Sequence, residues 1–146
     1  MNAKRRRMLL AAVDPLLEPG EQVQVATLVN LSSVSVGRTA AFAVASALVS
    51  AGAMAVVPVP APMYLAMTDR RFFVFRADPT FAKPREHLMT FSRAGLVRTP
   101  VKERVLNSSF VVSAPGDGQG LRIVFPLLGR KDRDLVAAAL PVRADA

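Results

Sequence analysis

The uncharged stretch of residues 39–68 constrains this chain more than any other feature. None of its thirty residues carries a charge, and residues 39–57 consist mainly of Ala, Val, Leu, Phe and Met. At about 1.5 Å per residue, a helix over residues 39–57 would just cover the roughly 30 Å hydrocarbon core of a bilayer. The stretch must therefore lie in a protein core, at an interface or in a membrane.

Two observations argue against a transmembrane helix over residues 39–57. Each strongly apolar side chain contributes only about −0.3 to −0.6 kcal/mol to insertion, and the Ser, Thr and Gly residues oppose it. A single span would also separate the strand before it from the strands after it. We therefore interpret residues 39–57 as an apolar, helical insert between strands. Bilayer insertion, a dip into the membrane interface and extra strands remain the alternatives.

The spacing of side chains within the insert indicates a contact surface. Alanines at every fourth position would form a flat seam on one side of a helix, where another helix can approach closely. Larger side chains spaced by seven would lie on a different side. The candidate interaction surface comprises Phe42, Ala43, Ala47, Val49, Ala51, Ala55 and Val56.

The N-terminus begins with a basic cluster followed by six apolar residues, which Asp14 and Pro15 interrupt. This apolar run is shorter than the roughly 7–15 residues of a secretory signal core. The pattern predicts an N-terminal helix within residues 1–16 that ends or kinks at Asp14, because proline disfavours helical geometry in the preceding residue. A solvated helix start is one interpretation of the cluster, and contact with anionic lipid is the other. The candidate lipid-contacting residues are Lys4, Arg5, Arg6, Arg7 and Arg38.

Composition narrows the classes of function. The length of 146 residues favours one domain. A net charge of +8, carried mostly by arginine, favours acidic partners such as anionic lipid, nucleic acid or acidic proteins. The absence of cysteine excludes disulfides and thiolate chemistry. Abundant Ala, Val and Arg with few Lys indicate a bacterial genome of high GC content.

Alternating apolar residues predict a mainly β fold. In the first predicted strand, Val23, Val25, Thr27 and Val29 would share one face. In the last predicted strand, Leu121, Ile123 and Phe125 would share one face. Prolines at 58, 60 and 62 predict an extended connector. An amphipathic helix is predicted over residues 130–140, before Pro141. The predicted strands cover residues 22–31, 63–68, 72–76, 86–92, 96–105, 109–113 and 121–127.

Catalytic and metal-binding patterns are missing from the sequence. His87 is the only histidine, and no nucleophile motif lies near it. The acidic residues are mostly isolated, so no metal cluster is predicted. Three alternate glycines at 116, 118 and 120 lack the following helix and Lys-Ser/Thr pair of a phosphate-binding loop. We predict no enzyme activity, no metal and no cofactor.

Two motifs resemble those of bacterial pleckstrin-homology-like (PH-like) domains. Leu17-Glu18-Pro19-Gly20-Glu21 precedes the first strand, and Thr68-Asp69-Arg70-Arg71 joins two apolar strands. The resemblance implies an α+β, mainly β fold: a seven-stranded antiparallel PH-like barrel or sandwich. It would form a single domain over residues 1–146, with the N-terminal helix, the insert after strand 1 and a C-terminal capping helix.

The resemblance does not extend to a ligand. Eukaryotic PH domains that bind phosphoinositides carry Lys and Arg around the connection between their first two strands, as a phosphorylated headgroup requires. Here that connection is the uncharged insert, so no specific phosphoinositide site is expected.

We expect a cytoplasmic, non-catalytic interaction or scaffold module that self-associates, or binds another protein, through the insert. The alternative is a protein at the cytoplasmic membrane, peripheral or inserted, whose insert enters the bilayer while basic residues contact anionic lipid. Nonspecific nucleic-acid binding is a second, disfavoured alternative, because basic residues are not interleaved with aromatic residues that would be free to stack on bases.

Overall fold

The computed structural model describes residues 1–35, 60–78, 83–114 and 119–143. Helix α1 (Ala3–Val13) continues into a 3₁₀ turn (Asp14–Leu16), and helix α2 (Arg130–Ala139) follows a 3₁₀ turn (Leu127–Gly129). Neither helix in this part of the chain is long and apolar enough to cross a membrane. The strands are β1 (Val23–Ser35), β2 (Ala61–Thr68), β3 (Arg71–Ala77), β4 (Pro84–Ser92), β5 (Val97–Arg98), β6 (Lys102–Glu103), β7 (Asn107–Ser113) and β8 (Gln119–Pro126).

The eight strands form one antiparallel sheet in the order β4-β3-β2-β1-β8-β7-β5, with β6 paired to β7. Strands β4 and β5 are its ends, and they are not paired with each other within the described ranges. The single strand predicted over residues 96–105 is wrong, because the chain forms two short strands there. Pro100 lies between them and has no N–H to donate to a sheet.

One face of the sheet surrounds the main core, which α2 closes with Val136, Ala137 and Leu140. Strands from both halves of the sheet contribute to this core, so the sheet curves around it. The rings of Phe72 and Phe91 stack with centroids 5.1 Å apart. The predicted common face of Leu121, Ile123 and Phe125 is confirmed, since all three belong to this core.

The other face of β1–β3 is covered by α1. Leu9 and Val13 are fully buried there against a smaller cluster that includes Tyr64, Phe73 and Phe75. Central residues of β2 and β3 are consequently buried on both faces, which explains why these strands consist almost entirely of apolar residues.

Strand β1 departs from its predicted form at both ends. An irregularity between Val23 and Val25 shifts the register, so Val23 packs on the α1 side and Val25 in the main core. The prediction that they share a face is wrong, because one extra residue reverses the alternation of a strand. At its other end β1 continues to Ser35 by pairing with β8. Pro62, predicted as connector, lies in β2 opposite Asn30.

Candidate functional site

Helix α1 displays its basic residues from a fixed position on the sheet. The side chain of Asn2 caps the helix by accepting a hydrogen bond from the Arg5 N–H at 2.8 Å. Buried Leu9 and Val13 hold the opposite part of the helix against the sheet. We call the four consecutive cations of α1 the basic helix start: Lys4, Arg5, Arg6 and Arg7. Three of them are exposed, whereas Arg5 is half-buried. The positive charge of these residues is therefore held in a fixed position on a folded core.

The position of the basic helix start is unfavourable for the helix itself. The N-terminal end of a helix carries a partial positive charge, and each cation there costs about 0.3–1 kcal/mol at an exposed site. No acidic residue lies in the first turn of α1 to compensate. An anion bound at this end would relieve both the repulsion among the cations and their conflict with the helix dipole.

Arg5 is the central residue of this region. In the described part of the chain, its guanidinium has neither a hydrogen bond nor an ion pair. Arg5 borders an open cavity of about 480 Å³ that is also lined by Asn2, Lys4, Met8 and Lys83. Its charge reaches Tyr64, where burial raises the pKa of the phenol and Arg5 opposes that rise. An unpaired, half-buried guanidinium beside two lysines is suited to bind an anion.

An apolar groove begins on another side of Arg5. This groove, of about 360 Å³, is lined by Met1, Arg5, Thr27, Leu28, Pro126, Leu127, Leu128 and Gly129. Leu127 and Leu128 have exposed fractions of 41% and 89%. The cationic cavity and the apolar groove therefore adjoin at Arg5. An amphiphilic surface could contact both of them at the same time.

The two motifs behind the family resemblance form one structural unit, the Glu21 clasp (Glu21, Thr68 and Arg71). The Glu21 carboxylate accepts hydrogen bonds from Arg71 Nη2 at 2.5 Å and Nε at 3.1 Å, and from the Thr68 hydroxyl at 2.6 Å. Arg71 also donates to the Leu16 carbonyl at 3.0 Å and lies over the Phe73 ring at 4.7 Å. The clasp thus fixes the segment that follows α1 to the β2–β3 turn.

The electrostatics of the clasp favour the ionised carboxylate. Hydrogen bonding from Arg71 lowers the pKa of Glu21 to about 2, and the bonds from the Glu18 N–H and Thr68 also lower it, although burial opposes the change. The same interaction raises the pKa of Arg71. Because the Glu21 side chain is completely inaccessible to solvent, the clasp stabilises the fold and is not itself a binding site.

A larger cleft, of about 750 Å³, lies near the C-terminal end of α2. It is lined in part by Arg70, Arg93, Gly95 and Pro141. Its cations already have partners. Arg93 donates to the side-chain oxygen of Gln24 and to the backbone carbonyl of Thr68, both at 2.8 Å. Arg70 forms an ion pair with Glu18 at 3.5 Å. The cleft is therefore a weaker candidate for anion binding than the basic helix start.

The structure brings together only part of the predicted site. Lys4, Arg5, Arg6 and Arg7 share one helix end. Arg38 and the candidate interaction surface of the insert lie outside the described residues. That surface comprises Phe42, Ala43, Ala47, Val49, Ala51, Ala55 and Val56.

Sequence reasoning missed the residues that complete this region from elsewhere in the chain. Lys83, Leu127 and Leu128 join α1 only through the packing of α1 on the sheet. The adjacent leucines before a predicted helix were a usable signal, because two leucines beside a basic cluster are unusual in a solvated turn.

His87 and the acidic residues are the groups that could support catalysis or metal binding. His87 is exposed and its Nε2 lies 2.5 Å from the Thr90 hydroxyl and 3.1 Å from the Met89 carbonyl. In the described ranges, no three His, Asp or Glu side chains are grouped so that they could hold a metal ion.

These elements define a class: a mainly β protein with one curved antiparallel sheet, a helix closing its core and a second helix on its outer face. A solved structure described as showing a critical structural role for the PH and C1 domains of the Vav1 exchange factor matches 94% of this chain with a TM-score of 0.51. The sequence identity is 11%, and the match covers 33% of that chain. The likeness concerns the fold alone and supports the PH-like fold that the sequence resemblance implied.

The chain spans about a third of the Vav1 chain that it resembles. No protein-family model and no curated protein sequence matches this chain.

Proposed function

We propose that this protein is a non-catalytic binding module that docks on anionic membrane surfaces through the basic start of α1. One observation carries the proposal: four consecutive cations occupy a helix end that disfavours them, and the helix is anchored so that three of them face solvent. A charge arrangement that costs stability is explained if it serves binding.

A lipid surface fits this region better than nucleic acid does. Binding of single-stranded nucleic acid uses exposed aromatic rings on which bases stack. Here the rings of Phe72, Phe73, Phe91, Phe110 and Phe125 are buried. The side chains beside the cations are instead aliphatic and exposed, as contact with the headgroup–acyl boundary of a bilayer requires.

The magnitude of the electrostatic attraction is modest. Each Lys or Arg near an anionic membrane contributes about 1 kcal/mol. Four cations therefore supply roughly 4 kcal/mol, which corresponds to a dissociation constant near 1 mM. Stable docking needs a further contribution from apolar contact.

Sedimentation with vesicles tests the proposal. We expect binding to vesicles of equal parts phosphatidylcholine and phosphatidylglycerol, no binding to pure phosphatidylcholine, and weakening as NaCl rises from about 0.05 M to about 0.5 M. The variant Arg6→Gln/Arg7→Gln should bind more weakly. The matched control Arg122→Gln/Arg143→Gln removes the same charge outside α1 and should bind nearly as well as the wild type.

Two results would contradict the proposal. One is equal binding by the two double variants, which would mean that net charge alone governs association. The other is retardation of DNA or RNA at low salt without any binding to vesicles, which would favour the nucleic-acid alternative.

Self-association through residues 39–57 was the leading expectation from the sequence. Those residues lie outside the described part of the chain, so it stays a prediction. It is compatible with docking through α1, since the two use different segments.

A further inference from the structure

The hairpin that joins β6 to β7 has an unusual tip. Lys102 pairs with Ser109 and Glu103 with Ser108, and the Arg104 N–H donates to the Asn107 carbonyl at 2.8 Å. The connection is thus a two-residue loop made of Val105 and Leu106. Such loops favour Asn, Asp and Gly, whose backbones adopt the required turn readily. Val105 and Leu106 instead expose 86% and 72% of their surface.

The connection between β8 and α2 places two more exposed leucines at the same end of the sheet. Asn107 of β7 pairs with Pro126 of β8. The residues that follow this pair outward are Leu106, in the hairpin loop, and Leu127, which begins the 3₁₀ turn, so both lie at the same end of the sheet. Leu128 follows and is 89% exposed. We call these four exposed residues at one end of the sheet, Val105, Leu106, Leu127 and Leu128, the apolar ridge.

Arg133 holds the two parts of this ridge together. It reaches from α2 to the hairpin, donating to the Glu103 carboxylate at 2.7 Å and to the Ser108 hydroxyl at 3.1 Å. It also donates twice to the Asp134 carboxylate. Only 10% of the Arg133 side chain is exposed. The hydrogen bonds to Asp134 and Glu103 raise the pKa of Arg133, although burial opposes this change. A largely buried cation therefore links the hairpin to α2, which preorganises the two parts of the ridge relative to each other.

Exposed cations flank the ridge on both sides. Lys102 and Arg104 belong to the hairpin, and Arg130 and Lys131 begin α2 directly after Leu128 and Gly129. The nearby acids are Glu103 and Asp134, which both pair with Arg133, and Asp132 in the first turn of α2, so the cations outnumber the acids. The ridge also continues into the apolar groove, since Leu127 and Leu128 line the groove with Met1 and Arg5. One face of the protein thus combines aliphatic side chains with cations from two helices and a hairpin.

We propose that the apolar ridge inserts into the headgroup–acyl boundary of an anionic membrane, while the flanking cations contact lipid headgroups. This inference rests on the proposed docking through α1 and supplies the apolar contribution that docking requires. The charge of the flanking residues favours an anionic lipid surface over a neutral apolar protein surface.

A single-tryptophan variant tests the insertion directly, because the chain contains no tryptophan. Leu128→Trp places the reporter on the ridge at an exposed site where folding is not at risk. Val142→Trp is the matched control, since Val142 is also exposed, at 47%, and lies beyond the far end of α2. Emission is recorded with and without vesicles of equal parts phosphatidylcholine and phosphatidylglycerol, and with brominated lipids as quenchers.

We expect the Leu128→Trp emission to shift to shorter wavelength with vesicles and to be quenched by brominated lipid, while the control changes little. The substitution Leu128→Ser should reduce partitioning into these vesicles by about tenfold, and Val142→Ser should not. The loss should persist at high salt, unlike the effect of removing cations.

The outcomes separate the two proposals. Binding to vesicles without a shift for Leu128→Trp would overturn the ridge inference and leave docking through α1 intact. Absence of vesicle binding would overturn both. A concentration-dependent shift in buffer without vesicles would show that the ridge contacts a second copy of the chain, which would also overturn membrane insertion.

Discussion

Replacement of Glu21 by glutamine should make the fold less stable and less sensitive to acid. The substitution preserves the shape of the side chain but removes the charge that Arg71 and Thr68 bind. Arg71 would keep its positive charge with only an amide as partner. Loss of one partner of a buried ion pair costs about 3–5 kcal/mol. Since the Arg71 side chain is 26% exposed, we expect a loss of about 2–3 kcal/mol at neutral pH.

The pKa of Glu21 provides a second route to this magnitude. It falls from an ordinary value of 4.5 to about 2 in the folded protein. A difference of roughly 2.5 pH units corresponds to about 3 kcal/mol. Because the folded pKa is lowered, this stability is present in full above pH 4.5 and is lost as the pH falls toward 2. The wild type should therefore weaken between about pH 5 and pH 2 more steeply than Glu21→Gln does.

Urea unfolding measured from pH 7 to pH 2.5 tests this reasoning. Glu18→Gln is the matched control in the same segment, because the Glu18 side chain is 58% exposed and its pair with Arg70 spans 3.5 Å. An exposed pair of this kind contributes at most about 1 kcal/mol. The control should retain the acid sensitivity of the wild type. If Glu21→Gln and the wild type lose stability in parallel between pH 5 and pH 2.5, the clasp does not hold an ionised carboxylate.

Two further predictions concern α1 and the insert. Leu9→Ala should reduce the free energy of unfolding by about 2–5 kcal/mol, because Leu9 is fully buried. The control Ala11→Ser lies at an exposed position of the same helix and should change the free energy of unfolding little. Urea titration measures both variants. Light scattering should find the wild type to be an oligomer in dilute buffer without detergent, and replacement of residues 39–57 by a short Gly-Ser linker should yield a monomer. A monomeric wild type would contradict self-association through the insert.

Patterns local in sequence predicted much of the fold. The apolar run broken at Asp14 and Pro15 correctly marked the end of α1, and the alternation of Leu121, Ile123 and Phe125 identified a core face. These signals depend on the geometry of one helix or strand, so neighbouring residues suffice to reveal them. The burial of β2 and β3 on both faces was not predictable in the same way, because it depends on where α1 packs.

The incorrect predictions have one physical cause, which is the pairing of strands that are distant in the sequence. The register shift at Val23 and Val25 arises where β1 meets β2, and β1 extends to Ser35 because β8 supplies hydrogen-bonding partners. The ridge could not be predicted from the sequence, because Leu106 and Leu127 come to the same end of the sheet only through the pairing of β7 with β8. The cations of α1 were identified from the sequence, but the cavity that Lys83 completes was not.

The hairpin of β1 and β2 allows the intervening segment to change without unfolding the sheet. The last residue pair between these strands joins Leu31 to Ala61, so the whole uncharged insert lies within the loop that this pair closes. The entropy of closing a loop varies with the logarithm of its length, at about 0.6 kcal/mol for each twofold change. In closure entropy alone, halving or doubling the length of the connection between Leu31 and Ala61 would alter stability by less than the loss of one buried leucine. The closure of this strand pair therefore places little demand on the length of the segment between them.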